Sequence, residues 1–366
     1  ASNGAAVELG VLEDAIVRSK THPSWGRDFD LQPVGNIVHK RLLDFGKRVP
    51  RLLTTYGKSM EYFRSRRPAA VICGTADADL VQVVRQAAQA DGIPMASFQH
   101  GGAYGYMHSE WMKLSDLRTD LYVGYGTDGC AYLEGTANNS GLPAKTVGIG
   151  WTRGATAAQT STKPAIVRQV ERRTIMYVPT GLGGETRYGP DHGYHDTEYC
   201  LEQVRVIEAL RRVPDAVVIV KLHPKDGAPN PIERWVRRLD DARVRVLKGG
   251  RLPKAIEQSD LVVLDCPTTT LLEVMATASR LVYLHLGILK WTPEGESLMR
   301  KSAPWVDATS GWESRLGEAV VDALENPALK AHDNRFLDAY ASLDFRPELA
   351  WNKLRDIRRV RTQASK

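Results

Sequence analysis

Apolar residues along this chain fall into two kinds of run. Short continuous ones, rich in β-branched side chains, occupy residues 69–74, 94–99, 120–124 and 145–149 in the first half. The second half has them at 174–179, 216–221, 244–247, 261–264 and 281–284. Runs of this length and make-up predict buried strands. Between them the apolar positions recur at helical spacing. Over 78–91, for example, Leu80, Val83, Val84, Ala87 and Ala88 share one face. The same spacing predicts helices at 198–212, 231–239, 252–258 and 270–276, and mostly helical stretches up to residue 67 and from 331 onward. Strand and helix in alternation predict βαβ units and parallel sheets.

Two sets of strands imply two sheets, and a chain of 366 residues is long enough for two cores. The expected fold is α/β, with two Rossmann-like domains facing one cleft. Their bounds are 1–160 and 161–330, with helices at 331–366 packing back on the first domain. The Thr-, Ala- and Gly-rich stretch 151–163 reads as the linker. Ligands of open α/β sheets bind outside the carboxyl ends of the strands, so the residues that follow each strand carry the functional question.

Composition narrows the classes. A hydrophobic share of 43% with 25% charged residues is that of an ordinary globular protein. No apolar run reaches the roughly 18 residues that span a bilayer. The first ten residues show no basic segment leading into an apolar one, so no export signal is expected there. The four cysteines, Cys73, Cys130, Cys200 and Cys266, are scattered without a CxxC spacing. A reducing cytoplasm is therefore expected, with no disulfide framework or zinc site. The net charge of +6 favours anionic partners without choosing among them. The richest basic stretch is Lys353-Leu354-Arg355-Asp356-Ile357-Arg358-Arg359-Val360-Arg361. It reads as a solvated helix face or as a foot on an anionic membrane. No aromatic residues alternate with its charges, which argues against a nucleic-acid groove.

Five strand ends carry candidate chemistry. A buried strand runs into Lys221, His223 and Pro224, where proline stops the ladder and holds the imidazole at the sheet edge. Lys221 and His223 offer charge-assisted donors to a phosphate, although His223 fits equally well as a strand-end cap. After the strand at 261–264 come Thr268, Thr269 and Thr270, then a helix with Glu273 in its first turn. Helix N-termini attract anions, but Thr270 and Glu273 also fit a capping box. A third strand delivers Gln99 and His100 into the glycine-rich Gly101-Gly102-Ala103-Tyr104-Gly105, where backbone can approach a ligand closely. His108, Glu110 and Asp116 follow and could complete a pocket or cover the surface. Asp77 and Asp79 follow the strand at 69–74 and open a helix, as caps or as carboxylates sharing a cleft with His100. Thr180 and Gly181 begin a glycine-rich loop that matches neither common nucleotide fingerprint.

Taken in order, Lys221-Leu222-His223-Pro224, Ser259-Asp260 and the hydroxyl cluster before Glu273 resemble the donor half of GT-B glycosyltransferases. The likeness is closest to those using CMP-activated acidic sugars, the sialyl-, polysialyl- and Kdo-transferases. It implies that His223, Thr268, Thr269, Thr270 and Glu273 bind the donor, with the second domain as the donor half. The Gln99–Gly105 loop is similar to one in retaining β-Kdo transferases. There an Asp of the N-terminal domain attacks the sugar, which implies Asp77 as nucleophile, Asp79 close behind it, and His100 beside them. The hydroxyl cluster departs from the family pattern in being threonine where serines are usual. No Asp-x-Asp stands where a metal-bound diphosphate would need it, and no cofactor beyond the nucleotide-sugar substrate is implied.

The expected function is thus transfer of a sugar, Kdo or a related acidic one from CMP, onto a glycan or glycolipid of surface polysaccharide. Two other enzymes on the same fold remain open, a UDP-sugar 2-epimerase and a CDP-polyol phosphotransferase. So does a non-catalytic module binding nucleotide or sugar.

Overall fold

The computed structural model describes residues 32–74, 78–108, 116–154, 172–182, 193–223, 230–277, 279–326 and 334–364. The chain divides into two compact units, one of residues 1–69 with 78–93 and the other of residues 70–77 with 94–366.

The first unit holds two described helices, α1 (Gln32–Arg66) and α2 (Asp79–Ala90), which pack on each other. α1 runs through Pro50. Although proline removes one backbone donor, the Pro50 carbonyl accepts from the Thr54 hydroxyl at 2.8 Å. Arg64 reaches Asp91 at 3.4 Å, and Arg48 forms an ion pair with Asp79.

The second unit contains both sheets. The first sheet has β1 (Val71–Cys73), β2 (Met95–Phe98), β3 (Leu121–Gly124) and β4 (Lys145–Gly148), all parallel and side by side in chain order. The second has β5 (Arg173–Val178), β6 (Ala216–Lys221), β7 (Val244–Leu247), β8 (Leu261–Leu264), β9 (Arg280–His285) and β10 (Trp305–Asp307). Its spatial order is β10-β9-β8-β5-β6-β7, again all parallel. This is the doubly wound Rossmann order, and it reverses between β5 and β8, at the switch point where such sheets bind ligands. Leu261, Val262, Val263 and Leu264 are wholly buried because both faces of a parallel sheet are covered.

The covering helices of the second sheet include α4 (Asp196–Arg211), α5 (Pro231–Leu239), α6 (Leu252–Glu257), α7 (Thr269–Met275), α8 (Pro293–Ser302) and α9 (Trp312–Glu325). The first sheet carries α3 (Thr127–Asn139) and, against β3 and β4, α11 (Pro347–Ala364) through Ala350 and Leu354. The short α10 (Arg335–Ala341) touches both α3 and α8.

The strands stand where the apolar runs predict them, with β7 and β8 matching residue for residue. Strand β10 was not predicted. Three residues, Trp305, Val306 and Asp307, are too few for an apolar run to show, and pairing with β9 decides their state. Helices α3, α8 and α9 are likewise additions to the reading.

Candidate active site

The loop after β2 and the turn after β8 meet. The Gly102 amide donates to the Thr269 hydroxyl at 2.9 Å. A Cβ on Gly102 would lie 2.7 Å from both the Thr268 carbonyl carbon and the Thr269 nitrogen. Only glycine allows this approach of one backbone to another. Gly101, at φ +87°, takes a left-handed conformation that glycine adopts freely.

Gln99 sets the loop up. It is buried, its side-chain nitrogen donates to the Gly101 carbonyl at 2.8 Å, and its side-chain oxygen accepts from the Tyr125 amide at 2.9 Å. The Tyr125 hydroxyl in turn donates to the Gln99 carbonyl at 3.1 Å. Gln99 therefore ties the tip of β2 to the tip of β3. His100 next to it is exposed and makes no side-chain hydrogen bond among the described residues. Further along, the buried Tyr106 hydroxyl accepts from the Ala103 amide at 2.5 Å. Residues 106–108 then join residues 290–292: the Thr292 amide donates to the Tyr106 carbonyl, and the His108 amide to the Lys290 carbonyl, each at 2.9 Å.

On the facing side, Thr268 is the N-cap of α7. The hydroxyls of Thr268 and Thr270 bond no side chain or backbone among the described residues. The capping box that Thr270 and Glu273 could have made is absent. Instead Glu273 forms an ion pair with Arg153, just beyond β4, at 2.7 Å. Burial pushes the Glu273 carboxyl up, partly countered by Arg153. Lys221, at the end of β6, is only 4% exposed, and its amine donates to the Leu222 carbonyl at 3.2 Å. No carboxylate pairs with it among the described residues, and burial lowers its pKa. His223 follows, half-buried. Thr180, after β5, is buried and its amide donates to the Tyr199 hydroxyl at 2.9 Å, with Gly181 next to it.

The sequence profile of the LIC12162 family transferases matches residues 47–278, which is most of the chain and takes in the loops after β2, β5, β6 and β8. The chain belongs to the LIC12162 family of transferases. Among solved structures, it is similar to UDP-GlcNAc 2-epimerase from Methanocaldococcus jannaschii, at 11% identity over 82% of this chain and 81% of that one, with a TM-score of 0.51. The same epimerase in complex with UDP-GlcNAc and UDP matches at 12% identity over 85% and 80%, with a TM-score of 0.51. MurG of Acinetobacter baumannii matches at 14% identity over 78% and 76%, with a TM-score of 0.39. At such identities the likeness is one of fold. No curated protein matches the chain.

In this LIC12162-family transferase the remaining candidates divide. Asp77, Glu110 and Pro224 lie outside the described residues. Asp79 belongs to the first compact unit, where Arg48 pairs with it. Tyr104 is buried beneath its loop, stacked on Tyr122 at 5.9 Å, and its hydroxyl donates to Asp116 at 3.1 Å. Both Tyr104 and Asp116 thus take part in the core of the first sheet. Among the described residues, no group of three or more His, Cys, Asp or Glu side chains is gathered to hold a metal ion. No helix among them is long and apolar enough to cross a membrane.

Sequence reasoning passed over three further features at the ends of the strands. Asp265, between β8 and the threonines, is a buried carboxylate bonded by two tyrosines. It stood in the open as a strand-end acid. Arg153 fell inside the stretch read as linker. A recess of about 840 Å³ opens beyond the carboxyl ends of β9 and β10, lined by His285, Trp305, Asp307 and Arg315 among others. Burial lowers the pKa of His285 there.

Proposed function

We propose that this LIC12162-family transferase moves a sugar from a nucleotide donor onto a growing surface glycan or glycolipid. The observation that carries the reading is the contact of Gly102 with Thr269. It puts the glycine-rich loop of the first sheet against the threonine cluster of the second, at the strand ends where such folds bind ligands. Two further features suit a phosphate: a buried Lys221 amine without a carboxylate partner among the described residues, and threonine hydroxyls free of capping duty. The fold likeness to an epimerase structure holding UDP-GlcNAc and UDP fits a nucleotide-sugar ligand.

The finer reading is a CMP-linked donor, Kdo or a related acidic sugar, handled with retention. In that scheme a carboxylate oxygen of Asp77 bonds to the anomeric carbon as the bond from that carbon to the CMP phosphate oxygen breaks, and CMP leaves with the electron pair. An acceptor hydroxyl then displaces Asp77 and gives up its proton to His100. One phosphate can be stabilised by Lys221, His223 and the hydroxyls without a metal. Such an enzyme would work in the cytoplasm, and the basic residues of α11 would let it rest on an anionic inner-membrane face. Pelleting with vesicles of anionic lipid, but not with neutral ones, tests that placement.

A UDP-sugar 2-epimerase is the second reading, favoured by the fold of the M. jannaschii enzyme. A thermal-shift panel of CMP, UDP, GDP and CDP separates the cases, because a ligand selective for the folded state raises its melting temperature. Stabilisation by CMP supports the CMP-sugar reading. UDP alone points to a UDP-sugar, after which release of an isomer without acceptor would mark an epimerase. CDP selectivity would mark a polyol-phosphate transferase, and binding without turnover of any activated sugar a binding module.

A further inference from the structure

Asp265 lies at the switch point of the second sheet, one residue beyond β8 and three before the first threonine of the cluster. Its side chain is 1% exposed. One oxygen, Oδ2, accepts from the Tyr199 hydroxyl at 2.9 Å and from the Tyr177 hydroxyl as well. The other, Oδ1, is buried with no hydrogen-bond partner. Tyr177 comes from β5 and Tyr199 from α4, so one carboxylate joins three elements. The network does not stop there. The Tyr199 hydroxyl, while donating to Asp265, accepts from the Thr180 amide at 2.9 Å.

This chain of bonds runs from the turn that carries Thr268–Thr270 to the loop that carries Thr180 and Gly181. Those two segments flank the crevice between β5 and β8, where the order of strands reverses. A buried acid contributes nothing to packing that an apolar residue of its size would not, and leaving Oδ1 without a donor is unfavourable. What the carboxylate does supply is direction. It orients two hydroxyl protons, and the oriented Tyr199 oxygen holds a backbone amide at the crevice.

We propose that Asp265 is a positioning residue of the donor site, acting through Tyr199 on the Thr180 amide and fixing the spacing of the two crevice loops. The proposal rests on the reading of this crevice as a nucleotide site. The groups facing the carboxylate are Tyr177 on β5, Tyr199 on α4, Tyr283 on β9 and the neighbouring Cys266, with the Thr180 amide. None of these is a cation, so protonation is governed by burial. The carboxyl is pushed up to about 6. The hydrogen bonds from Tyr177 and Tyr199 favour the charged carboxylate against that burial, so protonation below this value weakens those two bonds and with them the holding of the loop.

The test compares the wild type with Tyr199→Phe and Asp265→Asn by hydrogen exchange of a peptide covering residues 178–182, at pH 5 and pH 8 after correction for intrinsic rates. Nucleotide binding is followed in parallel by thermal shift with CMP and UDP. In Tyr199→Phe the Thr180 amide loses its acceptor, and exchange at 178–182 should rise at least tenfold while peptides of β1 to β4 stay as they were. Asp265→Asn should abolish the difference between the two pH values in the same peptide, and both variants should weaken nucleotide binding about tenfold. Unchanged exchange at 178–182 in both variants overturns the proposal, as does loosening spread evenly over the second sheet. Should Asp265→Asn fail to fold, Tyr199→Phe alone decides, since a phenyl ring fills the same space. A wild type that binds no nucleotide would sink the donor-site reading, and the exchange result would still show whether Asp265 positions the loop.

Discussion

Gly102 and Thr269 stand 167 residues apart in sequence, and the amide of one donates to the hydroxyl of the other at 2.9 Å. That bond joins the tip of one parallel sheet to the tip of the other. The glycine-rich loop after β2 and the threonine turn after β8 therefore meet at this point.

The closeness of the two backbones makes Gly102→Ala a sharp test. The added methyl group would meet the Tyr106 hydroxyl at 2.6 Å and the Thr268–Thr269 backbone at 2.7 Å. Overpacking of this kind destabilises by about 1–3 kcal/mol. Urea unfolding should show that loss, and transfer should fall with it. Gly135→Ala is the control. Nothing lies within 4 Å of that site in α3. There alanine should be neutral or stabilise by about 0.5–1 kcal/mol.

Lys221→Met separates ligand binding from stability. The amine is buried without a counter-ion among the described residues, and a methionine of similar length removes a charge the fold has to desolvate. The variant should unfold at the same or a higher urea concentration. Nucleotide affinity, read by thermal shift or calorimetry, should drop tenfold or more. A variant that binds nucleotide as well as the wild type would remove Lys221 from the donor site.

Stability should depend on pH through Asp265. Its folded pKa of about 6 lies above the unfolded value of about 4. Between these values the folded state keeps a proton that the unfolded state has lost, so the wild type loses stability as pH rises from about 4 to about 6 and levels off above. The carboxamide of the Asp265→Asn variant does not titrate. The stability of the wild type relative to that variant should therefore fall across the window by roughly 2–3 kcal/mol, as about two pKa units imply. Urea midpoints measured at half-unit steps will show the slope, and a difference independent of pH would mean that this carboxyl titrates normally.

Asp77→Asn and His100→Ala address the chemistry itself. If the first is the nucleophile and the second handles the proton, each should lower turnover at least about 100-fold while nucleotide binding stays within a few-fold. Intact-protein mass after incubation with CMP-Kdo should show an adduct in the wild type and none in Asp77→Asn. Turnover surviving in both variants would move the reacting groups elsewhere.

Transfer should also continue in excess chelator at roughly its ordinary rate, because a single departing phosphate can be stabilised by positive side chains and hydroxyls. Abolished turnover that returns on adding a divalent cation would replace that scheme with a metal-assisted one.

The alternation of apolar runs with helical spacing was enough to place every strand of the two sheets except β10, since burial on two faces leaves a continuous apolar signature that needs no partner to be read. Leu261–Leu264 is a plain case. Strand ends could be read too, because proline, glycine and hydroxyl residues punctuate them. Which strand lies beside which could not. The order β10-β9-β8-β5-β6-β7 and its reversal at β5 and β8 follow from long-range pairing. Nor could the sequence tell that Gln99 ties two strand tips together while His100 beside it faces solvent, for that depends on where Tyr125 arrives. Asp265 shows the limit most clearly. As a letter it is an ordinary strand-end acid. Two tyrosines, 88 and 66 residues away, surround it and shut out water, and only their tertiary meeting makes it a buried carboxyl that holds a loop.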